Sequence, residues 1–283
     1  MSGRVPALGV PPTVRTAVAD ATRRLRAAGC DCPRLDAELL LAAALESDRT
    51  ALHLEPGREL PAGAGAVFAA LCARREAREP VAYILGRRGF RGLDLTVDAR
   101  VLIPRPETEL LVEVALGLPR GARVVDVGTG CGAVALALAD ERPDLVVTAT
   151  DISAAALTVA RANARRLELD VTFRRADLLA GAGGPFDAVV ANLPYIAVVD
   201  GAALEPEISG YEPDGALFGG TDGLDFIRRL LAGLEAGVAF VALELGQGQA
   251  PGVAELMCAA GMTDIETHPD LAGIDRVVTG RRT

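Results

Sequence analysis

The tetrapeptide Asn192-Leu193-Pro194-Tyr195 places a polar amide, a proline-restricted backbone and an aromatic ring directly after the apolar run at residues 186–191. The run is typical of a short buried strand, and ligands of open α/β sheets bind at the carboxyl ends of strands. There the Asn192 oxygen and a neighbouring carbonyl could accept both hydrogens of a planar NH2 group, with Tyr195 against its flat face. An Asn-initiated turn with a buried tyrosine explains the same residues, so the tetrapeptide by itself leaves both interpretations open.

A glycine-rich loop lies between an earlier predicted strand at residues 124–127 and a predicted helix at residues 133–140. Such a loop lets the backbone approach a ligand and opens a helix whose N-terminal amides face it. Its residues are Gly128, Thr129, Gly130, Cys131 and Gly132. Because two of these glycines and Ala133 also fit the dinucleotide pattern G-x-G-x-x-G/A, the loop alone permits either NAD or S-adenosylmethionine.

Three aspartates adjoin the predicted strands and could contact a cofactor. Asp151, at the end of the second strand, could accept both hydroxyls of a ribose, which fits either cofactor. Asp126, just before the glycines, would repel a pyrophosphate. It therefore favours the cationic S-adenosylmethionine, by direct contact or by positioning the loop. Asp177, after the third strand, could accept an adenine amino group with Leu178 packed on the ring, or be an ordinary loop acid.

The composition limits the class of protein. Half of the 283 residues are hydrophobic, but no apolar run reaches the roughly 18 residues of a membrane span. Residues 1–20 lack an apolar secretory core, so we expect a cytoplasmic protein without membrane association. The five cysteines lack metal-ligand spacing, so no metal site is expected. The net charge is −9, and residues 81–283 carry 28 acids against 18 arginines, which disfavours direct binding to nucleic acid.

Residues 1–80 form a predicted helical domain. Three amphipathic helices without intervening strands are predicted near residues 13–29, 33–45 and 61–79. The domain is either a structural cap or a docking surface for the substrate. Residues 81–104 contain spaced glycines and a segment of period two, which predict a β-hairpin linker.

Residues 105–283 alternate strand and helix, which predicts an α/β domain with a Rossmann-like, doubly wound sheet. Arg105 lies between two prolines that hold the backbone extended before a helix, and we include it among the candidate substrate-binding residues. In such a sheet the glycine loop, Asp151 and the tetrapeptide are three consecutive strand-end features. Their combination predicts a methyltransferase.

Several longer segments carry a resemblance to a known family. They are residues 80–86, 103–109, 126–132, 192–195, 211–213, 223–225 and 244–246. Through these segments, which are spread over nearly the whole chain, the sequence resembles the bacterial HemK/PrmC family of peptide chain release factor N5-glutamine methyltransferases. The resemblance implies a class I S-adenosylmethionine-dependent methyltransferase fold, S-adenosyl-L-methionine as cofactor, and the glutamine of a release-factor Gly-Gly-Gln motif as acceptor. It also implies that the helical domain helps to bind the release factor.

Asn192 and Tyr195 are the catalytic residues expected on this basis. The Asn192 oxygen and the Leu193 carbonyl would accept the two amide hydrogens of the glutamine, Tyr195 would fix the amide plane, and Pro194 would line the same site. Relatives that modify a ribosomal protein typically carry serine where Pro106 stands, so Pro106 favours the release-factor branch. We expect the cofactor to contact Asn192 together with Asp126, Gly128, Thr129, Gly130, Cys131, Gly132, Asp151, Asp177 and Leu178.

Leu193 departs from the Asn-Pro-Pro-Tyr pattern usual in the family. Leu193 still precedes Pro194, which favours an extended backbone, so the carbonyl direction can be kept. Asn-Leu-Pro-Tyr is also the form in ribosomal RNA adenine dimethyltransferases, whose acceptor is another planar NH2 group. The alternatives are therefore an N6-adenine methyltransferase acting on RNA or DNA and a non-catalytic, cofactor-binding interaction protein. A nicotinamide-dependent oxidoreductase fits Asp126 and the tetrapeptide less well.

Overall fold

The structure is a computed structural model that describes residues 12–282. The chain divides into two compact units, Met1–Leu85 and Gly86–Thr283. Two predictions concern residues 1–11, which lie outside the described residues: the expected lack of an apolar secretory core and the start of the helical domain. In the part that is described, no helix combines the length and the apolar character needed to cross a bilayer.

The first unit is helical throughout its described part. Its helices are α1 (Val14–Ala27), α2 (Pro33–Ala44), α3 (Arg49–Leu54), α4 (Ala64–Glu76) and α5 (Val81–Leu85). Thr13 caps α1: its side chain accepts from the Thr16 N–H in a capping box. Leu25, Leu40 and Leu41 are fully buried and form the centre of the core.

Two short helices of this unit were not predicted. Helix α3 begins where the Asp48 side chain accepts from the Ala51 N–H, and it buries Leu52. Helix α5 occupies residues assigned from the sequence to the β-hairpin linker. Its apolar residues at positions 81, 84 and 85 pack against the helical core, a spacing that suits a helix face and not a strand.

The second unit begins with the β-hairpin, which starts at residue 87 instead of 81. Strand β1 (Arg87–Phe90) pairs antiparallel with β2 (Leu93–Thr96). Leu95 and Val97 are completely buried, as the predicted period of two requires.

A seven-stranded sheet forms the core of the second unit. Its strands are β3 (Arg123–Val127), β4 (Val146–Asp151), β5 (Thr172–Arg175), β6 (Ala188–Ala191), β7 (Phe240–Glu244), β8 (Thr263–Pro269) and β9 (Asp275–Arg281). Their order is β5-β4-β3-β6-β7-β9-β8. Strands β3 to β7 pair in parallel, and β9 is antiparallel to both of its neighbours. Strands β3, β6 and β7 are buried almost throughout, which explains their continuous apolar sequences.

Helices connect the strands. They are α6 (Glu109–Ala115), α7 (Ala133–Glu141), α8 (Ala154–Leu167), α9 (Pro206–Ser209), α10 (Asp225–Ala232) and α11 (Ala250–Ala259). Short 3-10 helices lie at Pro106–Thr108, Val198–Ala203 and Asp214–Ala216.

The strand order places a topological switch point between β3 and β6. From β3 the chain runs through β4 to β5 on one side, and it then returns to β6 on the other side of β3. Ligands of doubly wound sheets bind in the crevice that opens at such a point, at the carboxyl ends of the strands. The glycine loop after β3 and the tetrapeptide after β6 both lie at this crevice.

Candidate active site

A cavity of 390 Å³ opens at the carboxyl ends of the central strands. Among the residues predicted to bind the cofactor, those that line it are Gly128, Gly130, Asp151, Asp177, Leu178 and Asn192. Leu193 and Pro194 of the tetrapeptide also line it, as does Phe226 of α10. The fold therefore brings residues that are up to a hundred positions apart in sequence to one site.

The glycine loop is tied to the end of β4 by backbone hydrogen bonds. The N–H groups of Gly128 and Thr129 both donate to the Thr150 carbonyl, at 2.9 Å. Gly128 has φ +77°, and a Cβ there would lie 3.2 Å from the Leu193 side chain. Glycine at this position therefore allows both the left-handed turn and the close approach of the tetrapeptide.

Asp151 ends β4 beside this loop. Its Oδ2 accepts from the Gly130 N–H at 3.0 Å, and its Oδ1 accepts from the Ser153 N–H at 2.8 Å. Burial raises the pKa of the carboxyl. Each oxygen keeps acceptor capacity toward the cavity, which suits the two hydroxyls of a ribose.

Asp126 lies behind the loop and does not line the cavity. Its Oδ2 accepts from the Thr129 hydroxyl at 2.6 Å and from the Ala135 N–H at 3.2 Å. Burial raises the pKa of Asp126 to about 7. Of the two roles considered from the sequence, these contacts favour positioning of the loop over direct contact with a ligand.

The other loop residues predicted to bind the cofactor also lie outside the cavity lining: Thr129, Cys131 and Gly132. Cys131 is buried, and burial raises the pKa of its thiol to about 12. It is an unreactive core residue.

Asp177 and Leu178 lie just beyond β5, which ends two residues earlier. Asp177 Oδ2 pairs with Arg229 at 2.7 Å, and both side chains are about half exposed. Leu178 and Phe226 provide apolar walls to the cavity near this acid. The arrangement fits an adenine ring between apolar groups with an acceptor at its edge.

Asn192 is partly buried and is oriented by a neighbour from another element. Its Nδ2 donates to the hydroxyl of Thr108 at 3.1 Å. Thr108 ends the 3-10 helix before α6 and is 4% exposed. With Nδ2 occupied in this way, the Asn192 oxygen is the group left to receive hydrogens from a ligand.

Tyr195 is held by its hydroxyl, its ring and its backbone. The hydroxyl donates to Glu244 Oε1 at 3.4 Å, and the backbone carbonyl accepts from Gln249 Nε2 at 2.9 Å. The ring packs so closely on Gly246 that a Cβ there would lie 3.2 Å from it. Burial and the charge of Glu244 raise the pKa of Tyr195, so the phenol stays protonated. It does not line the 390 Å³ cavity.

Sequence reasoning missed Glu244 as a site residue. It ends β7 and is 1% exposed, and burial raises its pKa to about 7 although the nearby hydroxyls of Thr108 and Tyr195 oppose the shift. The available signal was its place in the segment at residues 244–246, which carries the family resemblance. Thr108 lies in another such segment and was likewise given no role.

Arg105 also lies outside the cavity lining. Its guanidinium pairs with Glu212 at 2.6 Å, and the Glu212 carboxyl is almost completely buried. Burial raises the pKa of Glu212 although Arg105 opposes the shift. Part of the Arg105 donor capacity is thus used within the protein, and a role in substrate binding stays a prediction.

The mostly parallel sheet, the glycine loop at its switch point and the acid at the end of the next strand define a class I S-adenosylmethionine-dependent methyltransferase. Residues 106–205 match the methyltransferase small domain family, and residues 16–86 match the PrmC N-terminal domain family. A methyltransferase structure from Pyrococcus furiosus superposes with a TM-score of 0.52 at 19% identity, covering 68% of this chain and 89% of that chain. This likeness supports the fold.

Similar sequences identify the family. Proteins named release factor glutamine methyltransferase from Koribacter versatilis and Deinococcus radiodurans are each 44% identical to this chain and cover 95% of it. The alignments span 99% and 98% of those proteins, respectively. The chain belongs to the release factor glutamine methyltransferases, and the resemblance noted in the sequence is confirmed.

Proposed function

We propose that this enzyme transfers a methyl group from S-adenosyl-L-methionine to the side-chain nitrogen of the glutamine in the Gly-Gly-Gln motif of peptide chain release factors. Family membership supports the reaction, and the strand-end cavity supports the cofactor. When bound, S-adenosylmethionine supplies an electrophilic methyl group. Asp151 would accept its ribose hydroxyls, while Leu178 and Phe226 would flank its adenine.

Asn192 and the Leu193 carbonyl would accept the two hydrogens of the substrate amide, and Tyr195 would fix the plane of that amide. An amide nitrogen is a weak nucleophile because its lone pair is delocalised. Holding it in line with the methyl group therefore supplies much of the rate. The same two acceptors stabilise positive charge that grows on nitrogen in the transition state.

One observation carries this proposal: Asn192 Nδ2 is bound to Thr108, which leaves the Asn192 oxygen for a planar NH2 group. The variant Asn192→Ala should lower kcat about 100- to 1,000-fold and leave the affinity for S-adenosylmethionine nearly unchanged. Mass spectrometry of the Gly-Gly-Gln peptide after incubation measures the product. Thr158→Ala is the matched control, because Thr158 is exposed on α8. Full turnover by Asn192→Ala would refute the assignment.

The substrate class is tested by offering release factor and ribosomal RNA in parallel with labelled cofactor. Methyl incorporation into release factor alone is expected. Labelling of RNA would instead support the N6-adenine alternative, and binding without transfer to either would support an interaction protein.

We further propose that the helical N-terminal domain, residues 1–80, docks the release factor in the cytoplasm. An open groove of 520 Å³ on this unit is lined by four exposed arginines. They are Arg15, Arg23, Arg26 and Arg34. Glu38 also lines the groove and pairs with Arg34, but arginines outnumber acids in the lining. A groove with this excess of positive charge fits an acidic segment of a protein partner. The variant Arg15→Glu combined with Arg26→Glu should raise KM for release factor and leave kcat unchanged.

A further inference from the structure

Three side chains behind Asn192 come from three different elements of the second unit. Thr108 ends the 3-10 helix before α6, Tyr195 follows β6, and Glu244 ends β7. Thr108 and Glu244 are almost completely buried. A group of buried polar side chains in one place requires a hydrogen-bonding arrangement that satisfies all of its members.

Glu244 determines where the nearby hydroxyl protons go. The Tyr195 hydroxyl donates to its Oε1 at 3.4 Å, and the Thr108 hydroxyl lies close enough to favour the charged form of its carboxyl. Oε2 is buried and accepts no hydrogen bond within the part of the chain that the structure describes, which leaves it as the acceptor open to the Thr108 hydroxyl proton. An ionised carboxylate can only accept hydrogen bonds, so both hydroxyls must act toward it as donors.

The Thr108 hydroxyl has a single proton. If that proton is donated to Glu244, Thr108 can only accept from Asn192, and the group of Asn192 that donates is Nδ2, at 3.1 Å. The Asn192 oxygen is then directed away from Thr108. In the reverse orientation Nδ2 would face the acceptor amide, and two donors would oppose each other.

We propose that Thr108, backed by Glu244, is a positioning residue that fixes the side-chain amide of Asn192 with its oxygen toward the substrate NH2 group. This inference rests on the proposed function, because it concerns the residue that receives the substrate hydrogens. It also accounts for a buried carboxyl at the end of β7 that the transfer of the methyl group does not itself require.

The test compares Thr108→Val with Thr108→Ser in the full-length enzyme. Val keeps the shape but removes the hydroxyl, so kcat for the Gly-Gly-Gln peptide should fall about 10- to 100-fold. KM for the peptide and the affinity for S-adenosylmethionine should stay near the wild-type values. Ser restores a hydroxyl and should recover most of kcat. Thr158→Val on the exposed face of α8 is the matched control.

A second pair of variants examines Glu244. In Glu244→Gln the new NH2 group can donate to the Thr108 hydroxyl oxygen. The Thr108 proton is then free to be donated to the Asn192 oxygen, so the Asn192 amide can adopt the reverse orientation. The kcat of Glu244→Gln should therefore fall as in Thr108→Val, with the fold retained. Glu255→Gln is the control, because Glu255 is exposed on α11.

The outcomes separate this inference from the proposed function. Full kcat of Thr108→Val beside an inactive Asn192→Ala would overturn the inference alone. Equal losses in Thr108→Val and Thr108→Ser, with a lower melting temperature in both, would indicate a packing role and would also overturn it. Failure of the wild-type enzyme to methylate the peptide would overturn the proposed function and this inference with it.

Discussion

Asp126 and Glu244 are buried carboxyl groups whose pKa values burial raises to about 7. Each lies at the end region of a parallel strand, and each binds side chains or backbone that shape the site. Asp126 accepts from the Thr129 hydroxyl and the Ala135 N–H, whereas Glu244 accepts from the Tyr195 hydroxyl and lies near the Thr108 hydroxyl. Both are most useful as acceptors when ionised, and ionising a buried group costs free energy of folding. The site thus gains orientation at the expense of stability.

The pH dependence of stability follows from the raised pKa of Asp126. Between its ordinary pKa, 3.8, and about 7, the folded state binds this proton and the unfolded state does not. The contribution of Asp126 to the free energy of unfolding therefore decreases as pH rises through that window. Urea denaturation should show that wild type loses stability relative to Asp126→Asn between about pH 4 and pH 7. Asp170→Asn, at an exposed position, is the control and should show no such trend. A difference in free energy of unfolding between wild type and Asp126→Asn that stays constant with pH would contradict the prediction.

The profile of kcat against pH should decrease on its acid side because Glu244 becomes protonated. Burial raises its pKa to about 7; Glu107 raises it further, whereas Arg276, Thr108 and Tyr195 lower it. Protonated Glu244 can itself donate to Thr108, so kcat should fall as pH decreases below about 7. Initial rates across pH with saturating substrates measure this decrease. In Glu244→Gln the decrease should disappear; an unchanged decrease in that variant would assign it to another group.

Asp151 offers a test of the cofactor site. Asp151→Asn keeps the shape but replaces one acceptor oxygen by a donor, which opposes a ribose hydroxyl or a backbone N–H. The affinity for S-adenosylmethionine, measured by calorimetry, should fall about 10- to 100-fold. Asp170→Asn again serves as the control, and equal affinity of the two variants would remove Asp151 from the cofactor site.

At the level of elements, the tetrapeptide is held between the sheet and the segment at residues 217–223. The Ile196 N–H donates to the Leu217 carbonyl at 3.0 Å, and the Gly219 N–H donates to the Ile196 carbonyl at 2.9 Å. A Cβ at Gly219 would overlap the Pro194 carbonyl, and a Cβ at Gly223 would overlap the Tyr195 carbonyl. The segment at residues 217–223 therefore fixes the backbone of Pro194, Tyr195 and Ile196.

Substitution of Gly219 isolates that packing. Its φ lies outside the left-handed region, so Gly219→Ala adds a steric conflict with the carbonyls of Pro194 and Gly223 and no backbone strain. We expect a large loss of kcat and a loss of stability of about 1 to 3 kcal/mol from overpacking. Gly237→Ala is the control, because nothing lies within 4 Å of a Cβ at that position. Wild-type activity of Gly219→Ala would show that the tetrapeptide tolerates displacement.

At the level of the whole molecule, the two units have separate cores. One is centred on Leu25, Leu40 and Leu41 in the helical unit, and the other includes Val189, Val241 and Leu243 in the sheet. Residues of the candidate site all belong to the second unit. Binding of cofactor and integrity of the helical unit should consequently be separable.

The variant Leu41→Ala tests this separation. Removing a fully buried leucine should lower the stability of the helical unit by about 2 to 5 kcal/mol, detected as an earlier transition in thermal unfolding. The affinity for S-adenosylmethionine should stay at the wild-type value at temperatures below that transition. A matched loss of cofactor affinity would mean that the cofactor site depends on the helical core.

The sequence indicated the elements and the strand-end residues because both are local properties. Apolar strands of the parallel sheet are buried on both faces, so their sequences are distinctive. Glycines and acids at their ends mark where a ligand can approach. Short helices were harder: α3 and α5 have too few residues for a periodic pattern, and their stability comes from packing.

By itself, the sequence determined the alternating fold, the family resemblance, and the roles expected for Asn192, Tyr195 and Asp151. Only the tertiary structure placed Asp126 behind the loop, paired Arg105 with Glu212, and brought Thr108 and Glu244 to Asn192 and Tyr195. The physical reason is distance along the chain. A strand or a loop follows from neighbouring residues, whereas the hydrogen bond between residues 108 and 192 exists only after the sheet has brought β6 and β7 together beside α6.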